Sequence, residues 1–127
     1  MSLKVKIVNK KNPLHLEEPS KFYASAVHLR KIELDQLATS VAERCSLRRS
    51  DVHGVLIALM DIIPSELLEG NIIDLGNLGS FYVSVKSEGV ATEEDCSVTQ
   101  IAGTRIQFRP AKKLKKQMRM IDFSYAI

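Results

Sequence analysis

The segment from Val52 to Leu67 constrains this chain more than any other. Val52, Val55, Leu56, Leu59, Met60, Ile62, Ile63 and Leu67 keep helical spacing, yet they fill more of the circumference than one stripe can hold. A helix apolar over so much of its girth needs burial on two sides. A neighbouring helix can supply one side; the other calls for a sheet or a second subunit. The neighbour is close at hand in the chain. Leu34, Leu37, Ala38, Val41, Ala42 and Cys45 follow i, i+3, i+4, i+7, i+8 and i+11, one face of an amphipathic helix of about three turns. On that stripe Cys45 is expected to be a buried small hydrophobe. Ser46–Arg49 reads as a short connector and Ser50 as the N-cap of the longer helix. Pro64, which cannot donate a backbone hydrogen bond, is expected to end or kink that helix, and Gly70 to close it.

Strand patterns flank this helical pair. Leu3–Val8 alternates apolar and cationic residues with period two, and Phe22–Val27 reads as a second strand across a turn-rich loop holding Asn12-Pro13 and Glu18-Pro19-Ser20. After the helices, Ile72–Leu75 leads through Gly76-Asn77-Leu78-Gly79 into a strand with Phe81, Val83 and Val85 on one face and Tyr82, Ser84 and Lys86 on the other. Residues 87–103 are polar, with Glu93-Glu94-Asp95 in the middle. Arg105–Arg109 then resumes alternation, with Ile106 and Phe108 inward and Arg105, Gln107 and Arg109 outward. Pro110 suits the first turn of a final helix whose stripe is Leu114, Met118 and Ile121, the remainder being covered by lysine and arginine. The fold class is therefore α+β, with residues 1–31 a strand extension and 32–127 the main domain.

Charge is segregated along the chain although the net value is only +3. Residues 1–31 hold seven Lys/Arg against two acids, and residues 105–127 seven against one, whereas the stretch between is acidic. Basic clusters of this kind suit a polyanion. Other chemistries find no support. His15, His28 and His53 share no metal-ligand spacing with one another or with Cys45 and Cys96, and two cysteines do not make a disulfide framework. No Gly-rich phosphate loop, nucleophile elbow or HExxH occurs. We therefore expect no enzyme, metal, cofactor or small-molecule substrate. No apolar run approaches a membrane span, and Met1–Lys11 lacks the apolar core of a secretory leader, so a cytoplasmic location is expected.

The element order, together with Leu75-Gly76-Asn77-Leu78-Gly79-Ser80-Phe81 and Arg105–Lys116 (RIQFRPAKKLKK) on either side of the polar excursion, resembles the HU/IHF family of bacterial histone-like proteins. The first motif is similar to that family's Gly-x-Gly-x-Phe turn, the second to its Phe-x-Pro-Gly-x-x-Leu-Lys segment. The N-terminal strands, Lys11-Asn12-Pro13-Leu14 and Ile63-Pro64 resemble the extended HU-like variants of Bacteroides-type bacteria. The resemblance implies an HU/IHF-like fold: a helical hairpin, an antiparallel sheet with a long β-arm at about 87–104, a C-terminal helix and an intertwined homodimer. It implies an architectural, largely sequence-nonspecific protein of the bacterial nucleoid, partnered by double-stranded DNA. The DNA-binding residues would be Ser84, Lys86, Arg105, Gln107 and Arg109 on the outward sheet face and Lys112, Lys113, Lys115 and Lys116 on the last helix. One departure stands out. Family members carry a proline at the arm tip that wedges between base pairs; this chain has no proline between Gly79 and Arg109, and its expected tip is Glu93-Glu94-Asp95-Cys96. A scaffold or protein-interaction module that has lost strong DNA binding is the alternative reading.

Overall fold

The computed structural model describes residues 2–126. Met1 and Ile127, the outer ends of the two spans drawn from the sequence, lie outside the described residues. The elements run β1 (Ser2–Lys10), β2 (Lys21–Val27), α1 (Leu34–Ala42), α2 (Arg49–Leu68), β3 (Ile73–Asp74), β4 (Gly79–Ser87), β5 (Ile101–Pro110), α3 (Lys112–Met118) and β6 (Asp122–Tyr125). Two compact units are present, residues 34–116 and the pair of segments 2–33 with 117–126.

In the first unit α1 and α2 form a helical hairpin. Asp35 links the two helices: its Oδ1 lies 3.6 Å from the Arg49 guanidinium and 3.2 Å from His53 Nε2. Arg49 lies in the first turn of α2, so the cap falls two residues before the expected Ser50. Its N-cap is Arg48, extended at ψ 155° and without a side-chain capping bond. At the end of α1 the chain tightens into i→i−3 bonds, Arg44 N–H to Val41 C=O and Cys45 N–H to Ala42 C=O. That turn takes Cys45 off the apolar stripe and leaves it exposed, against the expected burial.

Pro64 neither ends nor interrupts α2, which continues to Leu68. The turn beyond it is closed by other means. Ser65 Oγ donates to the Asp61 carbonyl at 3.1 Å, Gly70 N–H to Leu67 C=O at 3.0 Å, and Asn71 Nδ2 to Glu66 Oε2 at 2.8 Å. Gly70 takes the left-handed φ of 84° that stops the helix.

The sheet of this unit has the order β3-β4-β5, all antiparallel. Gly79 is the residue on which it turns. Its φ is 148°, and a Cβ there would run into the Arg109 carbonyl oxygen and stand 2.9 Å from the Phe108 ring. Glycine is required at that crossing. Directly opposed residues share a face, so Phe81–Phe108 and Val83–Ile106 line one side and Tyr82–Gln107 and Ser84–Arg105 the other. The Phe81 and Phe108 rings meet at 5.0 Å between centroids. The face they mark is open in the single chain: Ile106, expected inward, is 73% exposed.

The second unit is a sheet of order β2-β1-β6. β1 and β2 form the expected antiparallel pair, in register from Lys4↔Val27 to Lys10↔Lys21. The sequence reading stopped at the basic helix and did not foresee β6, which adds in parallel to β1 from Ser2↔Asp122 to Val5↔Tyr125.

Candidate nucleic-acid interface

β4 and β5 place the expected sheet residues on one face. Two of these side chains are fixed by diagonal neighbours. Gln107 Nε2 donates to Ser84 Oγ at 3.4 Å, and the Arg109 guanidinium lies over the Tyr82 ring at 5.1 Å from its centroid. A cation held over an aromatic face keeps its edge N–H groups available to an anion while losing rotamer freedom in advance. Tyr82 is thus a positioning residue that sequence reasoning noted only as an outward aromatic; its role depends on strand register, which a sequence does not print. Arg105 opposes Ser84, and Lys86 opposes Gly103 further along the ladder. All of them stand on one strip of two strands, with Lys86 on β4 and Arg105 and Arg109 on β5, no two cations directly opposed.

α3 follows β5 directly. Its start is tied to the sheet by the Ala111 N–H, which donates to the Leu78 carbonyl at 2.9 Å. Lys112, Lys113, Lys115 and Lys116 are all exposed, and Leu114 is half-buried. At 100° per residue the four lysines cluster on the side away from Leu114 and Met118. Lys112 and Lys113 stand in the first turn, against the helix dipole, and Lys115 and Lys116 in the last turn, where the dipole favours them.

The arm is paired more deeply than the sequence suggested. β5 starts at Ile101 rather than near Arg105, the ladder passes an irregularity between Lys86 and Ser87, and Glu88 N–H donates to Gln100 C=O at 3.2 Å. What remains at the tip are two short 3₁₀ turns, Glu93–Asp95 and Val98–Gln100. Thr92 Oγ1 and Ser97 Oγ cap them by accepting from Asp95 N–H and Thr99 N–H. Val90 lies outside any strand, Val98 lies in the second turn and is 81% exposed, and Ile101 opens β5. The three carboxylates of the first turn are exposed. Among the described residues no group of three His, Cys, Asp or Glu side chains is placed to hold a metal, and no helix is long and apolar enough to cross a membrane.

Comparison with known proteins follows the same lines. A family profile described as HU-HIG, an HU domain fused to a wHTH, Ig, or glycine-rich motif, matches residues 1–124. Among solved structures, the chain is similar to a protein from Bacteroides vulgatus named as a candidate bacterial DNA binding protein. The TM-score is 0.63 with 14% identity over 98% of this chain, which shows a shared fold. This chain spans 47% of that one, about half its length. No curated protein matches.

Proposed function

The chain belongs to the HU-HIG family of HU domains fused to further modules, and on that premise we propose that it is an architectural, largely sequence-nonspecific binder of double-stranded DNA, acting as a homodimer in the bacterial nucleoid. In this reading residues 32–127 carry the DNA-binding domain and residues 1–31 an extension to it. The observation that carries the reading is the strip on β4 and β5, where Ser84, Lys86, Arg105, Gln107 and Arg109 share one face and the guanidinium of Arg109 is held over Tyr82. Lys112, Lys113, Lys115 and Lys116 add cations directly beyond it. Such contacts meet phosphates, position the duplex and read no base.

Packing supports the dimer. Ala38 and Val52 are the only buried hydrophobic side chains among the described residues, while Val55, Met60 and Ile62 of α2 stay at least half exposed. A compact 14.2 kDa chain exposes about 6,800 Å² and two separate bodies of these sizes about 8,000 Å², against 11189 Å² here. The excess, about 3,000 Å² per chain or about 6,000 Å² over a pair, is at or above the upper end of what obligate dimers bury. The open faces of α2 and of Phe81, Val83, Ile106 and Phe108 would supply it.

The acidic arm tip supports a different role for the arm from the proline wedge of the wider family. Glu93, Glu94 and Asp95 repel phosphate, so binding here rests on the sheet strip and α3 and not on insertion. The deciding measurement is a salt series of anisotropy titrations on linear and pre-bent duplexes. We expect affinity to fall with salt at a slope near −0.9 per phosphate contact. No salt-dependent binding at micromolar protein would reject the reading in favour of a scaffold that keeps the fold alone.

A further inference from the structure

The N-terminal sheet has a cationic face of its own. Alternation along β1 puts Lys4, Lys6, Val8 and Lys10 on one side, and the register with β2 adds Ser25, Tyr23 and Lys21 opposite Lys6, Val8 and Lys10. The other side carries Leu3, Val5 and Ile7. From Lys4 to Lys10 the row extends about 20 Å at ~3.4 Å per residue. At its far end Lys10, Lys11 and Lys21 line an open cleft of about 270 Å³ together with Tyr23 and a single acid, Glu18.

Three observations separate this face from an ordinary solvated surface. Lys10 and Lys21 are directly opposed in an antiparallel pair, a like-charge placement that costs stability. None of Lys4, Lys6, Lys10, Lys11 and Lys21 is ion-paired with a carboxylate among the described residues; the fixed partner of Lys4 is a hydroxyl, Ser124 Oγ at 2.9 Å. Lysines that guard a sheet against aggregation stand on its edge strands; Lys21 does stand on the edge strand β2, but Lys4, Lys6 and Lys10 are on β1, the central strand of β2-β1-β6. Asp122, beside Ser2 at the opposite end of the sheet, and Glu18 are the acids near the two ends of the row. An uncompensated row of cations at regular spacing fits an extended chain of phosphates better than a compact phosphorylated molecule, which one end of it would satisfy. A single tyrosine on the face offers too little aromatic surface for a base-stacking platform.

We propose that the lysine face of the N-terminal sheet is a second binding surface for the phosphate backbone of duplex DNA, separate from the strip on β4 and β5. The proposal rests on the DNA-binding reading above and adds an anion site that residues 84–116 do not contain. Two surfaces in one chain raise the local concentration of backbone at each when the other is occupied.

The test uses the full chain and a linear duplex in a salt series, comparing the wild type with K6Q/K10Q/K21Q and with K112Q/K113Q/K115Q/K116Q. Lys4 is left in place because of its bond to Ser124. With three contacts removed per chain, the salt slope falls by about 2.7, a roughly 40-fold smaller loss of affinity between ~50 and ~200 mM salt. The arginine triple variant K6R/K10R/K21R restores the wild-type slope, which a merely structural role for these lysines would not require. An unchanged slope in K6Q/K10Q/K21Q, with wild-type duplex binding intact, overturns this proposal and leaves the β4–β5 site standing. Loss of binding to polyglutamate with DNA affinity untouched overturns it in favour of an acidic protein partner. A wild type that binds no duplex at all overturns both readings.

Discussion

The protein carries two three-stranded sheets, each apolar on one face and cationic on the other, and they present their charge differently. On β4 and β5 the cation nearest the helix is an arginine stacked on Tyr82, and its neighbour Gln107 is tied to Ser84. On β1 and β2 the cations are lysines, and only Lys4 has a fixed hydroxyl partner. A planar guanidinium held in advance recognises phosphate with a defined geometry, whereas a flexible ammonium contributes as a point charge. On the readings proposed above, the first sheet would orient a duplex and the second would attract one. The apolar faces also differ: that of β4 and β5 contains the Phe81–Phe108 pair and lies in the unit whose longest helix leaves Val55, Met60 and Ile62 at least half exposed.

The largest expected effect tests that apolar face. Ile106 is 73% exposed in the single chain, so Ile106→Asp should change stability by no more than about 0.5 kcal/mol if the chain works alone. If the face is covered by a second copy, the same change buries an unpaired carboxylate at a cost of several kcal/mol and dissociates the assembly. Light scattering on the variant separates the outcomes, since a stable 14 kDa monomer in the wild type itself would already refute the dimer.

Next in size is a pair of glycines on the same ladder. Gly79→Ala places a methyl group against the Arg109 carbonyl and the Phe108 ring at a positive φ, and should cost about 2 kcal/mol or more. Gly103→Ala meets nothing within 4 Å and should stay within about 0.5 kcal/mol. Equal thermal melts for the two variants would mean that the crossing at Gly79 does not constrain the sheet.

These contrasts also mark what a sequence can and cannot convey. The two faces of β4 and β5 were legible because alternation is local: Phe81, Val83 and Val85 against Tyr82, Ser84 and Lys86. The basic helix was legible for the same reason. β6 was not, since its four residues acquire strand character by pairing with Ser2–Val5 from the opposite end of the chain. The cap of α2 was misplaced: the helix takes in Arg49 and Ser50, and Arg48 caps it without the side-chain bond that a hydroxyl was expected to supply. Cys45 continued a helical spacing that the chain had already abandoned for a tighter turn. Pro64 obeyed its local rule in losing a hydrogen bond but not in ending the helix, because the turn around Ser65 and Asn71 closes without it. The stacking of Arg109 on Tyr82 needed the register of two strands joined by a long excursion.

A smaller effect sharpens the arginine–lysine contrast. Arg109→Lys keeps the charge and removes the planar group over Tyr82, so duplex affinity should fall by about 0.5–1 kcal/mol with the salt slope nearly unchanged. Tyr82→Leu should reproduce part of that loss without touching any charge. If Arg109→Lys binds as the wild type does, the strip on β4 and β5 attracts phosphate no differently from the lysine face, and the distinction between orienting and attracting surfaces falls.

The smallest effect concerns the arm tip, where the cationic strip gives way to acids. Glu93→Gln with Glu94→Gln removes two exposed carboxylates and leaves Asp95, whose carboxylate accepts a bond from Thr92 Oγ1 at 2.9 Å and helps hold the turn. If the tip lies beside the duplex, this pair of changes should strengthen binding by about 0.2–1 kcal/mol, up to roughly fivefold, at low salt. The gain should fade as ionic strength rises past ~0.1 M, where the screening length is about 10 Å. A gain that comes only from the general change in net charge is screened at lower salt than one from a close tip contact, so the salt series distinguishes the two. Affinity that stays the same at every salt concentration would place the tip away from DNA, leaving the strip and α3 to hold the duplex and the acids of the arm to face something else.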